Sequence, residues 1–263
     1  MKVIMLAAGV GKRLGGGKTR PPKVMLEFGG KTLLRRHIEI LRACGIEELI
    51  MAVGYRAGVI REGLSALGVT DFVSTVFNPD YREGSIVSLW AIREALCAAG
   101  DVILMDGDVL YDHRLMDRLL TSRHANCFLM DRNVEPGEEP VKLCVRGGRP
   151  VDFHKEIRTA CDYYGESVGF FRLSAPIARR LAGAAKAYIQ AGKTQQMYEE
   201  ALRDLLLAEP PGTFGFEDIT GLPWIEIDFP EDIRRAREKI LARLVEPESS
   251  PAPPTPKGRR RVG

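Results

Sequence analysis

The sequence predicts an α/β fold: a mostly parallel sheet flanked by helices on both faces, followed by a small β-hairpin and helical region. Three observations carry this expectation. Short, almost wholly apolar runs recur, as strands buried on both faces require. Stretches of helical spacing separate them, which is the rhythm of strand–helix–strand units. After Asp131 that rhythm stops and a hairpin signal, Gly147-Gly148, takes over.

The elements follow in order. Val3–Leu6 reads as a buried first strand closed by Gly9. Leu33, Leu34, Ile38, Ile40 and Leu41 recur at near-helical spacing among Arg35, Arg36, Glu39 and Arg42, and Gly45 supplies a stop. "ELIMAVG" (Glu48–Gly54) is a second strand, Val59–Leu67 a short helix, and "DFVSTVFN" (Asp71–Asn78) a third strand. Ser85 is placed to cap one helix running through "IVSLWAIREALCAAG". "DVILMDGD" (Asp101–Asp108) is a fourth strand running into two carboxylates, and Asp112 is a natural cap for "HRLMDRLL". Beyond Asp131, "EEPVKLCVRGGRPVDFHKEI" reads as a hairpin and Glu166–Ser174 as a strand. Helices are expected over about Ala175–Ala191 and Gln195–Ala208, and "WIEIDFPEDI" is a last short strand breaking into a helix at Pro230. The expected domain is 1–246. The stretch 247–263 is dense in proline and serine without periodicity, the composition of a disordered tail.

Composition excludes several classes. The chain has 263 residues, 45% of them hydrophobic, and a net charge of +3, too little to argue for nucleic acid. Its five cysteines are scattered, odd in number and free of CxxC spacing, so neither a disulfide framework nor a zinc site is expected, and a reducing, cytoplasmic setting fits. No apolar run approaches the roughly 18 residues of a membrane span. "MKVIMLAAG" is too short an apolar run for a signal peptide, with Lys12 and Arg13 close behind.

The stretch "MLAAGVGKRLGGGKTRPPK" (Met5–Lys23) is glycine-rich and basic and follows a strand, a combination suited to phosphate. It is not a P-loop: "GGGKT" would need glycine at position 12, where Lys12 stands, and Pro21 and Pro22 prevent the helix that should follow. It is not the GxGxxG dinucleotide fingerprint either, because Leu14 occupies the place of the third glycine, and this removes a dehydrogenase reading. What remains is an irregular glycine loop whose amides can approach phosphates, with Arg13 and Lys23 supplying charge.

A loop that holds phosphate works best beside hard cations, which carboxylates at strand ends can hold. Asp106 and Asp108 stand at the end of the fourth strand, where open α/β sheets bind ligands. Being two apart they face opposite ways on an extended strand; Gly107 permits a bend, and one direct ligand is expected from the pair. Glu226 and Asp228 alternate with Ile225 and Ile227, so both carboxylates share one strand face. Asp232 complements the dipole of the last helix. Lys142 and Lys155 flank the hairpin. The four histidines show no HxxxH spacing, and His37 reads as structural.

The run Leu6-Ala7-Ala8-Gly9-Val10-Gly11-Lys12-Arg13-Leu14, then Pro22-Lys23, resembles the signature of the nucleotidyltransferases that join a nucleoside triphosphate to a phosphorylated alcohol or sugar. With "NPDYREGSIVSLW", "MDGDV", "VKLCVRGGRPVDFHKEI", "GESVGFFRLS", "MYEEALRDLL" and "GLPWIEIDFPED", the resemblance covers nearly all of Met1–Leu244. Its nearest form is the CTP:phosphocholine cytidylyltransferases and relatives acting on other small phosphorylated or phosphonylated alcohols and amines. The resemblance implies a Rossmann-like sheet of the nucleotide-diphospho-sugar transferase type, with 1–131 binding nucleotide and 132–246 binding acceptor. It implies CMP transfer from CTP with release of pyrophosphate. Mg²⁺ would be held by Asp108, Glu226 and Asp228. Leu6, Ala7, Ala8, Gly9, Gly11, Arg13, Lys23, Gly84, Ser85 and Asp106 would meet the nucleotide, with Ala7, Ala8, Gly84 and Ser85 at the base. Arg13, Lys23 and Lys155 would be catalytic, and Lys155 and Glu166 would hold the acceptor. The chain departs from that branch at Glu83-Gly84, where an Asn-Asn pair is common, which leaves base and acceptor open. A quaternary ammonium would want an aromatic cage, for which Tyr81, Trp90, Tyr111, Tyr163, Tyr164 and Trp224 are available; a primary amine would want a carboxylate such as Glu166. A sugar-1-phosphate or inositol-1-phosphate nucleotidyltransferase is the alternative, and a non-catalytic nucleotide sensor a third reading. The expected partners are CTP and a small phosphorylated acceptor, without nucleic acid or membrane insertion, and a homodimer is the candidate assembly.

Overall fold

The computed structural model describes residues 1–15, 19–98, 100–134 and 140–247. The GGK segment at 16–18 and the tail from 248 onward, including "KGRRR", lie outside the described residues. In chain order the strands and helices are β1 (Lys2–Ala7), β2 (Glu27–Phe28), β3 (Lys31–Thr32), α1 (Leu33–Ala43), β4 (Glu48–Val53), α2 (Ala57–Ala66), β5 (Val73–Phe77), α3 (Ser85–Ala91) and α4 (Arg93–Ala98). There follow β6 (Val102–Asp106), β7 (Val109–Tyr111), α5 (His113–Thr121), β8 (Cys127–Asp131), β9 (Lys142–Arg146), β10 (Arg149–His154) and β11 (Tyr163–Leu173). The chain then forms α6 (Ala175–Gln190), α7 (Tyr198–Ala208), β12 (Gly215–Asp218), β13 (Trp224–Glu226) and α8 (Pro230–Arg235).

The main sheet runs β10-β9-β11-β6-β1-β4-β5, with β8 joined to β11 and β12. Strands β6, β1, β4 and β5 are parallel neighbours. Strand β11 enters antiparallel and links this block to the β9–β10 hairpin. Alternation along each central strand builds the two faces. Val3 and Met5 of β1, with Ile103 and Met105 of β6, pack under α1, α2 and α5. Ile4 and Leu6, with Val102 and Leu104, pack under α3, α4, α6 and α7. Burying each such side chain contributes about 1.5–3 kcal/mol, which is why the parallel block reads so clearly as sequence. A third, smaller core forms around Leu14, Phe28, Leu110, Ile225 and Ile227 and seats the antiparallel β7–β13 ribbon.

Most expected elements are present. Thr32 caps α1 by accepting from the Arg35 amide at 3.1 Å, and Asp112 caps α5 by accepting from the Arg114 amide at 3.1 Å. The helix expected from Ser85 is instead two, broken at Ile92: the Trp90 carbonyl accepts from the Ile92 amide and, at 3.0 Å, from the Arg93 guanidinium. Gly84, not Ser85, occupies the cap position, because the Ser85 hydroxyl accepts from the Tyr198 amide at 2.9 Å. Strands β8 and β12 were not anticipated. All five cysteines are free thiols. Among the described residues no helix is long and apolar enough to cross a membrane.

Candidate active site

Strands β1 and β6 are hydrogen-bonded neighbours, with Leu6 opposite Asp106, so the glycine loop and the Asp106-Gly107-Asp108 turn leave the sheet side by side. The turn is pinned twice: the Gly107 amide donates to the Leu6 carbonyl at 3.0 Å, and His37 Nε2 donates to the Gly107 carbonyl at 3.0 Å. Burial pushes the His37 imidazole down to about 4, outweighing the Gly107 carbonyl and Asp108 that favour its charge, so the ring is neutral. His37 is thus structural, as its sequence context suggests, and what it holds is the backbone beneath Asp108. The second acidic segment arrives along β13. The Ile227 amide donates to the Asp108 carbonyl at 3.0 Å, extending the β7–β13 ribbon past its last ladder pair. Asp232 then accepts from the amides of Asp228 and Phe229 at 2.9 and 2.6 Å, fixing the chain where α8 begins.

As a result Asp108, Glu226 and Asp228 each offer an oxygen within 4.8 Å of the others. Two cations of the glycine loop meet them. Lys23 Nζ lies 2.8 Å from Asp108 Oδ2 and 2.6 Å from Asp228 Oδ1, and Arg13 donates to Asp228 Oδ2 at 3.1 Å. Each cation sits on a short helical turn anchored by a buried neighbour: Leu14 follows Arg13, and Val24 follows Lys23. The loop's return is tied to the start of α2, where Arg56 donates to the carbonyls of Thr19 and Arg20 at 2.7 and 2.9 Å.

Electrostatics separate the acids. Burial disfavours the Lys23 charge, but Asp108 and Asp228 outweigh it and hold its pKa well above the ordinary lysine range. Burial likewise acts upward on Asp228, yet Lys23, then Arg13 and Lys155, keep its carboxyl below the usual range. Glu226 lacks such an ammonium contact. Solvent reaches it through the cleft, but crowding by protein and then the charges of Asp108 and Asp228 push it well up. Asp106 is also pushed well up, by burial and then by Glu199, while accepting from the Tyr198 hydroxyl at 2.8 Å. Gly169 makes room for that carboxylate: its φ is +76°, and a Cβ there would lie 2.3 Å from Asp106 Oδ2.

Two recesses open from this seam. On one side Leu6, Ala7, Gly9, Gly11, Lys23 and Asp108 line a cleft, continued by a recess bounded by Lys12, Arg13, Tyr81, Arg82 and Glu83. Ala8 is buried beneath it, its carbonyl accepting from the Tyr55 amide. Gly84 and Ser85 are committed elsewhere: the Gly84 amide donates to the Thr194 carbonyl at 2.8 Å, and a Cβ on Gly84 would strike the backbone of Gln195 and Gln196. On the other side a cavity of about 60 Å³ reaches Arg13, Lys155, Glu166, Glu199, Glu226 and Asp228. Of the two hairpin lysines, Lys155 lines it, while Lys142 braces it by donating to the Lys155 carbonyl at 2.8 Å.

Tyr198 and Glu199 received no role from sequence. Acids in a first helical turn are ordinary dipole partners, and only the packing of α7 on β10 brings Glu199 into the cavity. The available aromatic residues do not converge. Tyr111 stacks on His37, Trp90 lies under Arg93, Tyr163 under Arg132, and Trp224 donates to Asp131.

Residues 3–166 match the family model of the MobA-like NTP transferase domain. The chain belongs to that family. This NTP transferase domain is 30% identical over 241 residues to the bifunctional IPC transferase and DIPP synthase of Rubrobacter xylanophilus, covering 90% of this chain and 51% of that one. It is 27% identical over 242 residues to the CMP-5'-(3-aminopropyl)phosphonate synthase of Streptomyces rubellomurinus, covering 90% and 38%. The chain therefore spans about half or less of these curated relatives. Among solved structures, the inositol-1-phosphate CTP transferase from T. maritima superposes with a TM-score of 0.72 at 21% identity, covering 92% of this chain and 95% of that one. The shared fold is a nucleotidyltransferase sheet of the Rossmann-like, NDP-sugar transferase type.

Proposed function

We propose that the protein transfers CMP from CTP to a small phosphorylated or phosphonylated acceptor. An ionised oxygen of the acceptor bonds to the α-phosphorus, the α–β phosphoanhydride bond breaks, and the electron pair leaves with pyrophosphate. The observation that carries this reading is the meeting of Lys23 and Arg13 with Asp108 and Asp228, beside Glu226, at the adjacent ends of β1 and β6, between a glycine-lined cleft and a small cavity. Two polyanions brought into contact repel by several kcal/mol, and a seam of fixed cations offsets that repulsion. Lys23 and Arg13 face the side where the triphosphate would enter; Lys155 is placed to hold the acceptor's phosphate. Because the attacking oxygen is already ionised, no side chain needs to remove a proton. The relative whose name specifies a CMP-linked phosphonate product supports the choice of a cytidine nucleotide.

The donor set fits a hard divalent cation. Asp108, Glu226 and Asp228 offer convergent carboxylate oxygens, the ligands Mg²⁺ prefers, and the ammonium of Lys23 already finds two of them at contact distance. When bound, Mg²⁺ would neutralise phosphate charge and polarise the reacting phosphoryl group. The reading also carries a reducing, cytoplasmic setting, in line with the free thiols.

The test is pyrophosphate release across the four nucleoside triphosphates, with Mg²⁺, against a panel of phosphorylated alcohols, amines and sugars. CTP-dependent release is expected, abolished by EDTA. Failure of CTP to support release with every acceptor would sink the proposal; release with sugar 1-phosphates alone would move it to the alternative acceptor class.

A further inference from the structure

We infer that the acceptor carries a primary ammonium group, received by Glu199 and Glu166 in the cavity beyond the metal-ligating carboxylates. The inference rests on the CMP-transfer reading above and narrows its acceptor.

The cavity has two kinds of wall. Phe153, Phe171 and Met197 make one apolar, and its space of about 60 Å³ suits a short carbon chain. Glu166 and Glu199 supply the other. Glu166 is 9% exposed, on β11. Glu199 projects from the first turn of α7, and its Oε2 is shut off from solvent with no hydrogen bond from any described residue. A buried acceptor left without a donor costs roughly 1–3 kcal/mol, and a cavity wall that keeps one is matched to a ligand that brings donors. A buried carboxylate such as that of Glu199 also calls for positive charge rather than a dipole alone, and a ligand ammonium would add to the field that Lys155 already exerts on it.

Three ligand tails can be compared on these terms. A trimethylammonium group has charge but no N–H, and is held by aromatic faces. Here none of the candidate rings lines the cavity, and its own Phe153 and Phe171 meet each other nearly edge-on, at 78° and 5.9 Å, within a buried aromatic stack with Phe128. A polyol brings donors but no charge. A primary ammonium brings three donors and a full charge on a compact head. The same molecule's phosphate or phosphonate would lie toward Lys155 and Arg13, so the cavity would read a zwitterion end to end.

The experiment measures pyrophosphate release from CTP and Mg²⁺ with phosphoethanolamine, 2-aminoethylphosphonate and 3-aminopropylphosphonate, against phosphocholine and inositol 1-phosphate. At least one amine should exceed both comparators in kcat/KM by about 100-fold, as expected of a site built around a specific donor. Glu199→Gln should raise KM for the preferred amine about tenfold, the loss of one charge-assisted bond, and narrow its advantage over inositol 1-phosphate. Robust CTP turnover that favours phosphocholine or inositol 1-phosphate would overturn the ammonium inference and leave CMP transfer standing. No release from CTP with any acceptor would overturn both. If Glu199→Gln fails to fold, the wild-type panel still decides.

Discussion

The two sides of the carboxylate seam are opposites. The glycine-loop side is open and basic, with Lys12, Arg13, Lys23 and Arg82 around it, and is made from short turns hung on buried Leu14 and Val24. The α7 side is enclosed and acidic, with Asp106, Glu166 and Glu199, and is made from strands and a helix start packed against the aromatic core. One side is suited to a flexible triphosphate held by charge, the other to a small rigid-walled ligand held by shape and paired polar groups. Affinity on the first should fall with salt, since exposed charges are screened over a Debye length of about 10 Å at 0.1 M; affinity on the second, whose charge pairs are enclosed, should fall less.

The largest effects are expected at the seam itself. Asp108→Asn and Asp228→Asn should each lower turnover about 100- to 1000-fold while far-UV circular dichroism stays unchanged. Near-normal turnover in either would remove that carboxylate from the site. Lys23→Ala breaks the basic side alone. It leaves Asp108 and Asp228 facing each other without the ammonium that keeps Asp228 ionised. A loss of about 100-fold is expected, largely in CTP affinity, with acceptor KM little changed. A rise confined to acceptor KM would invert the comparison between the two sides.

The contrast explains what the sequence could reveal. Strand β1 is buried on both faces, so it reads as a solid apolar run whatever its register. Most of the basic side, Arg82 aside, comes from one stretch of sequence between Gly9 and Lys23 that announces itself by composition. Glu226 and Asp228 were legible because they alternate with Ile225 and Ile227. The acidic side is assembled from separate segments. Glu199 looks like a helix-dipole partner until α7 is docked, and the bonds that tie Gly84 and Ser85 to the 194–198 segment have no signature in the sequence. Strand β12, "GFED", is too short and too acidic to stand out, and it exists because β8 offers it an edge.

A buried ion pair helps to hold the acidic side together. Asp152 of β10 is 1% exposed and accepts from Arg203 of α7 at 2.7 Å and from the Thr159 hydroxyl at 2.7 Å. Burial acts upward on Asp152, but Arg203 outweighs it and holds the carboxyl below its usual range. Arg203→Ala strands a buried carboxylate and should cost about 3 kcal/mol in urea unfolding. It should also weaken acceptor binding, because the pair joins β10, which leads to Lys155, to the helix that carries Glu199. An unchanged midpoint would mean that the aromatic core alone holds this wall.

The smallest expected effect is a change of slope with pH, and two groups set it in opposite directions. Burial raises Glu199 to about 7 from an ordinary 4.5, so between those values the folded state binds the extra proton and stability falls as pH rises. Burial lowers His37 to about 4 from 6.5, so over nearly the same window the unfolded state binds the extra proton and stability rises with pH. In the wild type these two contributions offset each other between pH 4.5 and 6.5, beside those of Asp106 and Glu226, which slope as that of Glu199 does. Glu199→Gln removes the Glu199 contribution: the Tm of the variant relative to that of the wild type should rise with pH across that window, and the variant should be the more stable protein above pH 7, where wild-type Glu199 carries a buried charge. Parallel Tm profiles for the two proteins would mean that solvent or a bound cation already compensates Glu199, and the enclosed side would then be no more costly to charge than the open one.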